Sequence, residues 1–331
     1  MSWRILLDDL WTAYGQAQKG EAPPLLPKTT SFQRWAEKIA AHARTDTVRD
    51  EEPYWLSTTR REVGRIPVER SGDNLEGSAR VVMAELSASE TESLLREVPE
   101  VYRTQVNDIL LTAFAQAMTP WIGSRRVLVN LESHGREEVI ADVDVTRTVG
   151  WFTAIHPIVL DLDPSAAPGD AIQSIKEQLR AVPSRGFGHG LLRHLRGDEA
   201  VAARLAALPA PEVSFNYLGQ LDQVLPESSP FTLARESLGP GYSPRAQRPH
   251  VLDVQASVRG GRLRIRIAYS EGLHTAATIE ALAERFTGAL RRLIEHCLSP
   301  EAGGYTPSDF QKAGLSSEDL GDLLDQLGDE E

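Results

Sequence analysis

The sequence predicts a mixed α and β fold, and three observations carry that prediction. Residues 252–269 alternate apolar and polar side chains on both sides of Gly260-Gly261, the pattern of two antiparallel strands joined by a two-residue turn. Residues 104–117 and 278–297 repeat their apolar residues at helical spacing instead. The two patterns interleave along the chain rather than falling into separate halves, which marks one mixed architecture.

Taken in order, Trp3, Leu6, Leu7, Leu10, Trp11 and Tyr14 fall at i, i+3, i+4, i+7, i+8 and i+11, which predicts a helix that buries this face. Thr30 with Gln33 reads as a capping box for a second helix, whose stripe is Phe32, Trp35, Ile39 and Ala40. Thr45 to Ser78 contains Pro53, Pro67 and several Gly and reads as a long connection anchored by the aromatics of EEPYWL. Alternation predicts a strand from Arg80 to Leu86, with Val81, Met83 and Glu85 on one side and Val82, Ala84 and Leu86 on the other.

Ser89 opens a helix through Glu97, and Thr104 opens a longer one striped by Val106, Ile109, Leu110, Ala113, Phe114 and Ala117. Strands are predicted over Val127 to Leu131, Trp151 to Leu162 and Glu212 to Tyr217, with a helix capped by Asp170 before the last of them. Residues 220 to 249 carry five prolines and read as a loop. Thr278 opens the final helix, where Cys297 continues the stripe of Ile279, Leu282, Phe286, Leu290 and Leu293 and is therefore a core position.

Composition excludes several classes of function. With 331 residues and 41% apolar content the chain can bury a sizeable core, and no apolar run reaches the roughly 18 residues of a membrane span. A net charge of −12 is the wrong sign for neutralising a phosphate backbone, so nucleic acid and anionic membrane are not expected partners. One cysteine provides no disulfide, and MSWRILLDDLWTAY is not a secretory signal, so the expected location is cytoplasmic. From Ser316 onward there are seven acids and no base, interleaved with Leu320, Leu323, Leu324 and Leu327; the segment reads either as a solvated terminus or as a short docking helix.

Chemistry-bearing residues fall in a few segments. In Asn130-Leu131-Glu132-Ser133-His134-Gly135-Arg136, a turn through Gly135 lifts polar groups out of the end of a strand, and Glu132 becomes a candidate general acid or base. A surface carboxylate in a turn is the alternative reading of the same residue. In Val213-Ser214-Phe215-Asn216-Tyr217, alternation sends Ser214 and Asn216 to one face and Val213, Phe215 and Tyr217 to the other. Gly186-Phe187-Gly188-His189-Gly190 lacks dinucleotide spacing, and the eight His show no metal-ligating pattern, so no metal is expected.

The segments YRTQVNDILLTA (102–113), ESHGRE (132–137), VTRTVGWFT (145–153), PSRGFGHG (183–190), SFNYLGQ (214–220) and GGYTPSDF (303–310) occur in this order. Together they resemble the epimerization domain of nonribosomal peptide synthetases, a branch of the condensation-domain superfamily with the chloramphenicol-acetyltransferase-like fold. The resemblance implies a remnant of the N-terminal lobe over residues 1–86, a complete C-terminal lobe over 87–300, and a linker with an acidic tail, a candidate docking helix, over 301–331. In this family a Ser-Trp-Arg-Ile-Leu-Leu helix directly follows a His-His-x-x-x-Asp-Gly motif. No His-His pair occurs here, so the chain reads as truncated just after it.

The reaction implied is inversion of the α-carbon of an aminoacyl or peptidyl thioester, presented on the 4′-phosphopantetheine arm of a carrier domain, with no cofactor bound directly. The resemblance assigns the catalytic roles to Glu132, Asn216 and Tyr217, makes His134, Arg136 and Trp151 lining candidates, and leaves the opposed acid or base to the absent histidine motif. Ser133 departs from the family's usual Gly. The same resemblance admits a condensation domain that forms peptide bonds. It also admits a non-catalytic remnant that docks a downstream synthetase through the tail.

Overall fold

The structure, a computed structural model, describes residues 2–22, 26–57, 62–136, 139–221, 236, 239, 241–310 and 319–320. Its elements run α1 (Ser2–Ala17), α2 (Phe32–His42), α3 (Asp46–Arg49), α4 (Glu52–Trp55), β1 (Ala79–Glu85), α5 (Ala88–Arg96), α6 (Val98–Val101), α7 (Val106–Ile122), β2 (Arg126–Ser133) and β3 (Ala154–Asp161). They continue through α8 (Pro168–Arg180), α9 (Phe187–Gly190), α10 (Glu199–Ala206), β4 (Val213–Gln220), β5 (Leu252–Arg259), β6 (Arg262–Ser270) and α11 (Ala276–Cys297). The mixed α and β class is thereby observed.

Six strands form one sheet in the order β1-β6-β5-β4-β2-β3. The pairs β1/β6, β5/β6 and β2/β3 are antiparallel, whereas β4 runs parallel to both β2 and β5. Gly260 and Gly261 both adopt positive φ, at 62° and 68°, which is the backbone that a two-residue hairpin turn demands. β1 lies on the N-terminal side of residue 86, yet its seven residues pair in register with β6.

Alternation divides the sheet into two chemically different faces. Val129, Phe215, Val254 and Ile267 point to the helical side, where Phe114 of α7 stands 5.4 Å from Phe215 and 5.5 Å from Phe286 of α11. These side chains belong to a single buried cluster that also takes in Ile172 and Ile175 of α8. Cys297 lies inside it, and burial pushes its thiol pKa up to about 11, so the predicted core role holds. The other face presents Asn130, Glu132, Ser214, Asn216, Gln255 and Arg266.

Several predicted boundaries move, each for a local reason. Ser31, not Thr30, caps α2: its hydroxyl accepts from the Arg34 N–H at 3.1 Å, and Gln33 turns outward to Glu37. At the start of α7 the Asp108 carboxylate accepts from the Gln105 N–H at 2.7 Å, and Thr275 caps α11 by accepting from Thr278 N–H. Ala167 precedes α8, whose first position is Pro168, so Asp170 sits in the first turn rather than at the cap. Two short helices, α3 and α4, break the predicted connection, and Trp55 is fully buried there. Its indole N–H donates to Glu51 Oε2 at 2.9 Å, while Ser184 donates to Oε1 of the same carboxylate.

α1 presents much of its apolar stripe to solvent. Its apolar stripe predicts a buried face, but Trp3, Leu6, Leu10 and Tyr14 are exposed, and Ile5 is the one buried residue. The helix is held by its polar side instead. Ser2 Oγ donates to Gly150 O at 2.9 Å, and Arg147 pairs with Asp8 and Asp9. These contacts hold the helix while Trp3, Leu6, Leu10 and Tyr14 face solvent.

The segment after α11 is bound to the domain. Lys176 of α8, 1% exposed at its side chain, donates to both carboxylate oxygens of Asp309 at 2.7 and 2.8 Å. Burial alone raises the Asp309 pKa, but the bonds from Lys176 and the Thr306 N–H outweigh it and hold the carboxyl below its ordinary value. Arg103 stacks over Tyr305 at 4.0 Å. Apart from Asp319 and Leu320, the acidic tail from Ser316 onward lies outside the described residues.

Candidate functional site

Parallel pairing of β2 with β4 aligns Val129 with Val213, Asn130 with Ser214 and Leu131 with Phe215. One residue further, Glu132 comes level with Asn216 on the polar face. Asn216 Nδ2 donates to Glu132 Oε2 at 2.7 Å, and Ser214 Oγ lies 3.3 Å from Oε1. Two neutral donors thus contact both oxygens of a half-buried carboxylate. Asn130, two residues before Glu132, bonds through Nδ2 to His250 Nε2 at 2.9 Å.

Gly135 closes the strand. Its φ is +67°, and a Cβ there would lie 1.5 Å from the carbonyl oxygen of Phe152, so only glycine lets the turn pack against the segment that follows Trp151. Gly150 makes a similar approach, since a Cβ would meet the Phe32 ring at 2.4 Å. The turn and the 144–152 loop therefore set each other's position.

Arg136 is the staple of that loop. Its guanidinium donates to the carbonyls of Val145 and Thr148 and to Ser2 Oγ, and it covers the Phe152 ring at 4.3 Å. Burial lowers its pKa. All of these partners lie in the loop and at the start of α1, so Arg136 ties ESHGRE to VTRTVGWFT rather than facing Glu132.

The remaining candidates are dispersed. His134 is exposed, and its Nδ1 accepts from the Arg136 N–H at 3.0 Å. Trp151 is 82% exposed. Tyr217 packs against the hydrophobic cluster on the helical side, as alternation requires, and burial raises its phenol pKa; no hydrogen bond joins it to Glu132. The structure brings Glu132, Asn216 and Ser214 together and leaves Tyr217, His134, Arg136 and Trp151 outside that cluster.

Sequence reasoning missed the Asn130–His250 link. The alternation of Asn130 with Glu132 is a usable signal, but nothing local announces that residues 120 positions apart meet. No group of three or more His, Cys, Asp or Glu among the described residues is placed to hold a metal ion. No helix among them is long and apolar enough to cross a membrane.

A sheet with one helix-packed face, a polar face carrying the Glu132–Asn216 pair and six ordered motifs define a class of protein, and comparison agrees. Residues 1–316 match the family model described as the condensation domain, and the chain belongs to that family. It is 42% identical over 334 residues to chondramide synthase cmdD of Chondromyces crocatus, covering 99% of this chain and 8% of that protein. It is 37% identical over 330 residues to tyrocidine synthase 2 of Brevibacillus parabrevis, covering 99% of this chain and 9% of that one. The chain thus spans a small part of these curated relatives.

Among solved structures, it resembles the epimerization domain from the third module of tyrocidine synthetase B, with a TM-score of 0.81 and 36% identity over 90% of this chain and 66% of that one. The first condensation domain of the CDA synthetase shares the fold, at a TM-score of 0.59 and 18% identity over 91% of this chain and 61% of that one. The chain is therefore a condensation-superfamily member close to a nonribosomal peptide synthetase epimerization domain.

Proposed function

We propose that this chain carries one half of an α-carbon epimerization site, acting on an aminoacyl or peptidyl thioester held on the 4′-phosphopantetheine arm of a carrier domain. The observation that carries the reading is the Glu132 carboxylate, oriented by Asn216 and Ser214 on the polar face. Removing an α-proton needs a base aimed at it, and the Asn216 hydrogen bond, with Ser214 nearby, supplies the aim. Glu132 takes the proton, Asn216 and Ser214 position it, and Tyr217 supports the strand from the core side.

Inversion needs a second group on the opposite face of the carbon. The groups bonded to Glu132 among the described residues are an amide and a hydroxyl, and neither exchanges protons readily near neutrality. The family resemblance gives the opposed role to a histidine motif that this sequence does not contain. The reading therefore assigns Glu132 the removal of the proton and leaves the opposed role unassigned within these residues. Condensation, the runner-up reaction, is disfavoured by the carboxylate in ESHGRE and by the likeness to a solved epimerization domain.

The reading places the chain in the cytoplasm, divides it at residues 86 and 300 as the resemblance implies, and gives it a carrier domain as partner. A downstream synthetase binds through the acidic tail. The test is to incubate the chain with a holo carrier loaded with α-deuterated phenylalanine and follow both deuterium and configuration. Deuterium loss with retained configuration is expected. D/L mixing would show that the histidine motif is dispensable, and no loss at all would return Glu132 to a surface carboxylate.

A further inference from the structure

The two edge strands of the sheet, β3 and β1, are finished differently. In an antiparallel pair every second residue spends its backbone N–H and C=O on the neighbour and the others point away. The Leu162 N–H bonds to Arg125 O, so in β3 the outward set is Ile155, Pro157, Val159 and Asp161. Pro157 has no N–H to offer. The Gln178 side chain of α8 accepts from the Asp161 N–H and donates to the Asp161 carbonyl, both at 2.8 Å. That edge is blocked in its middle and at its end.

β1 has neither device. Its ladder with β6 runs between the Ser78 carbonyl and the Leu86 N–H, so Ala79, Val81, Met83 and Glu85 turn their backbone groups outward. The end carbonyls are covered, since Ala79 O accepts from Arg80 at 2.8 Å and Glu85 O from Arg291 at 3.5 Å. Between them, the N–H and C=O groups of Val81 and Met83 have no partner among the described residues. The strand pairs with β6 without a bulge, contains neither Pro nor Lys, and exposes Val81 by 44% and Met83 by 57%. An unprotected, apolar edge of this kind is a template for a further strand.

We infer that β1 pairs with β1 of a second copy of this chain, antiparallel about a two-fold axis at Val82. That axis sets Val81 opposite Met83 of the second copy, and Met83 opposite its Val81. These are the residues whose outward groups are unspent, so each pair exchanges both N–H···O bonds while the two side chains meet on the polar face. Val82 meets its own copy on the helical side, Arg80 meets Ala84 and Ala79 meets Glu85, so no like charges are opposed. Registers centred on Val81 or Met83 instead direct new bonds to the Ala79 or Glu85 carbonyls, which arginines already occupy. Any extended segment could use the backbone groups, but the match of unspent groups and apolar side chains with themselves favours a second copy. The pair is closed, and it leaves neither β1 edge open.

The test uses the full chain carrying Leu6→Glu and Leu10→Glu, which removes association through the α1 stripe, in sedimentation from micromolar to submillimolar concentration. A monomer–dimer equilibrium with no larger species is expected. Adding Val81→Lys and Met83→Lys opposes like charges across the axis and should weaken the dimer at least tenfold, with circular dichroism unchanged because both side chains are exposed. Register is read by oxidising single cysteine variants with copper phenanthroline; Cys297 is buried and does not compete. Val82→Cys brings two Cα atoms to about 4.5 Å across the axis, within disulfide reach, whereas Ala84→Cys leaves them about 14 Å apart. The first variant should cross-link at least tenfold faster than the second. A chain that stays monomeric, a dimer untouched by the two lysines, or equal cross-linking at 82 and 84 would overturn the inference.

Discussion

The Asn216 side-chain amide donates 2.7 Å to Glu132 Oε2, joining residues 84 positions apart across a parallel strand pair. A hydrogen bond to a charged group is worth about 1.5–3 kcal/mol. Asn216→Ala should therefore slow α-deuterium exchange at least tenfold. Ser214 stands at 3.3 Å, long for a hydroxyl donor, and Ser214→Ala should slow it less than threefold. Equal losses in the two variants would mean that burial, not this bond, orients the carboxylate.

Ser133 occupies the position where the family resemblance expects glycine, and its hydroxyl oxygen is buried without a hydrogen-bond partner among the described residues. An unsatisfied buried hydroxyl costs about 1–3 kcal/mol. Ser133→Ala should raise the melting temperature by about 2 °C or more in differential scanning calorimetry. A lowered melting temperature would show that the hydroxyl is bonded in solution.

The Lys176–Asp309 pair predicts a pH dependence. Because the folded Asp309 pKa lies below its unfolded value of about 3.9, the pair's contribution is present above that pH and is lost as pH falls through the folded pKa. Asp309→Asn leaves Lys176 buried without its carboxylate and should cost about 3–5 kcal/mol at pH 7. The variant should also lose part of the wild-type decline in stability below about pH 4. Parallel acid-unfolding curves for the two proteins would contradict this assignment.

The exposed stripe of α1 should make the chain bind an apolar dye and self-associate, because Trp3, Leu6, Leu10 and Tyr14 form one contiguous apolar face. Replacing Leu6 and Leu10 with glutamate should suppress both behaviours in dye-binding and size-exclusion measurements. Unchanged dye binding would place the responsible surface elsewhere.

Period and turn chemistry made much of this fold legible. The Gly260-Gly261 hairpin, the stripes of α7 and α11 and the core position of Cys297 all follow from local spacing, and each stands as expected. What spacing does not carry is partner choice. The α1 stripe reads as a buried face, but Arg147 and Gly150 hold the helix from its polar side. Likewise Arg136 sits in a motif with Glu132, yet its bonds run to carbonyls 9 and 12 residues on. Alternation alone separates Tyr217 from Asn216, whereas the pairing of Glu132 with Asn216 requires the parallel register of β2 and β4.

The account rests on Glu132 as the base at the substrate α-carbon, and exchange from an α-deuterated phenylalanyl thioester on a holo carrier tests it most directly when wild type and Glu132→Gln are compared at equal concentration. The amide keeps the shape of the carboxylate but cannot take the proton, so circular dichroism and melting temperature should be unchanged. General-base catalysis contributes about 10²–10⁴-fold. The account predicts a loss of exchange rate of at least about a hundredfold in the variant; equal rates in the two proteins would contradict it.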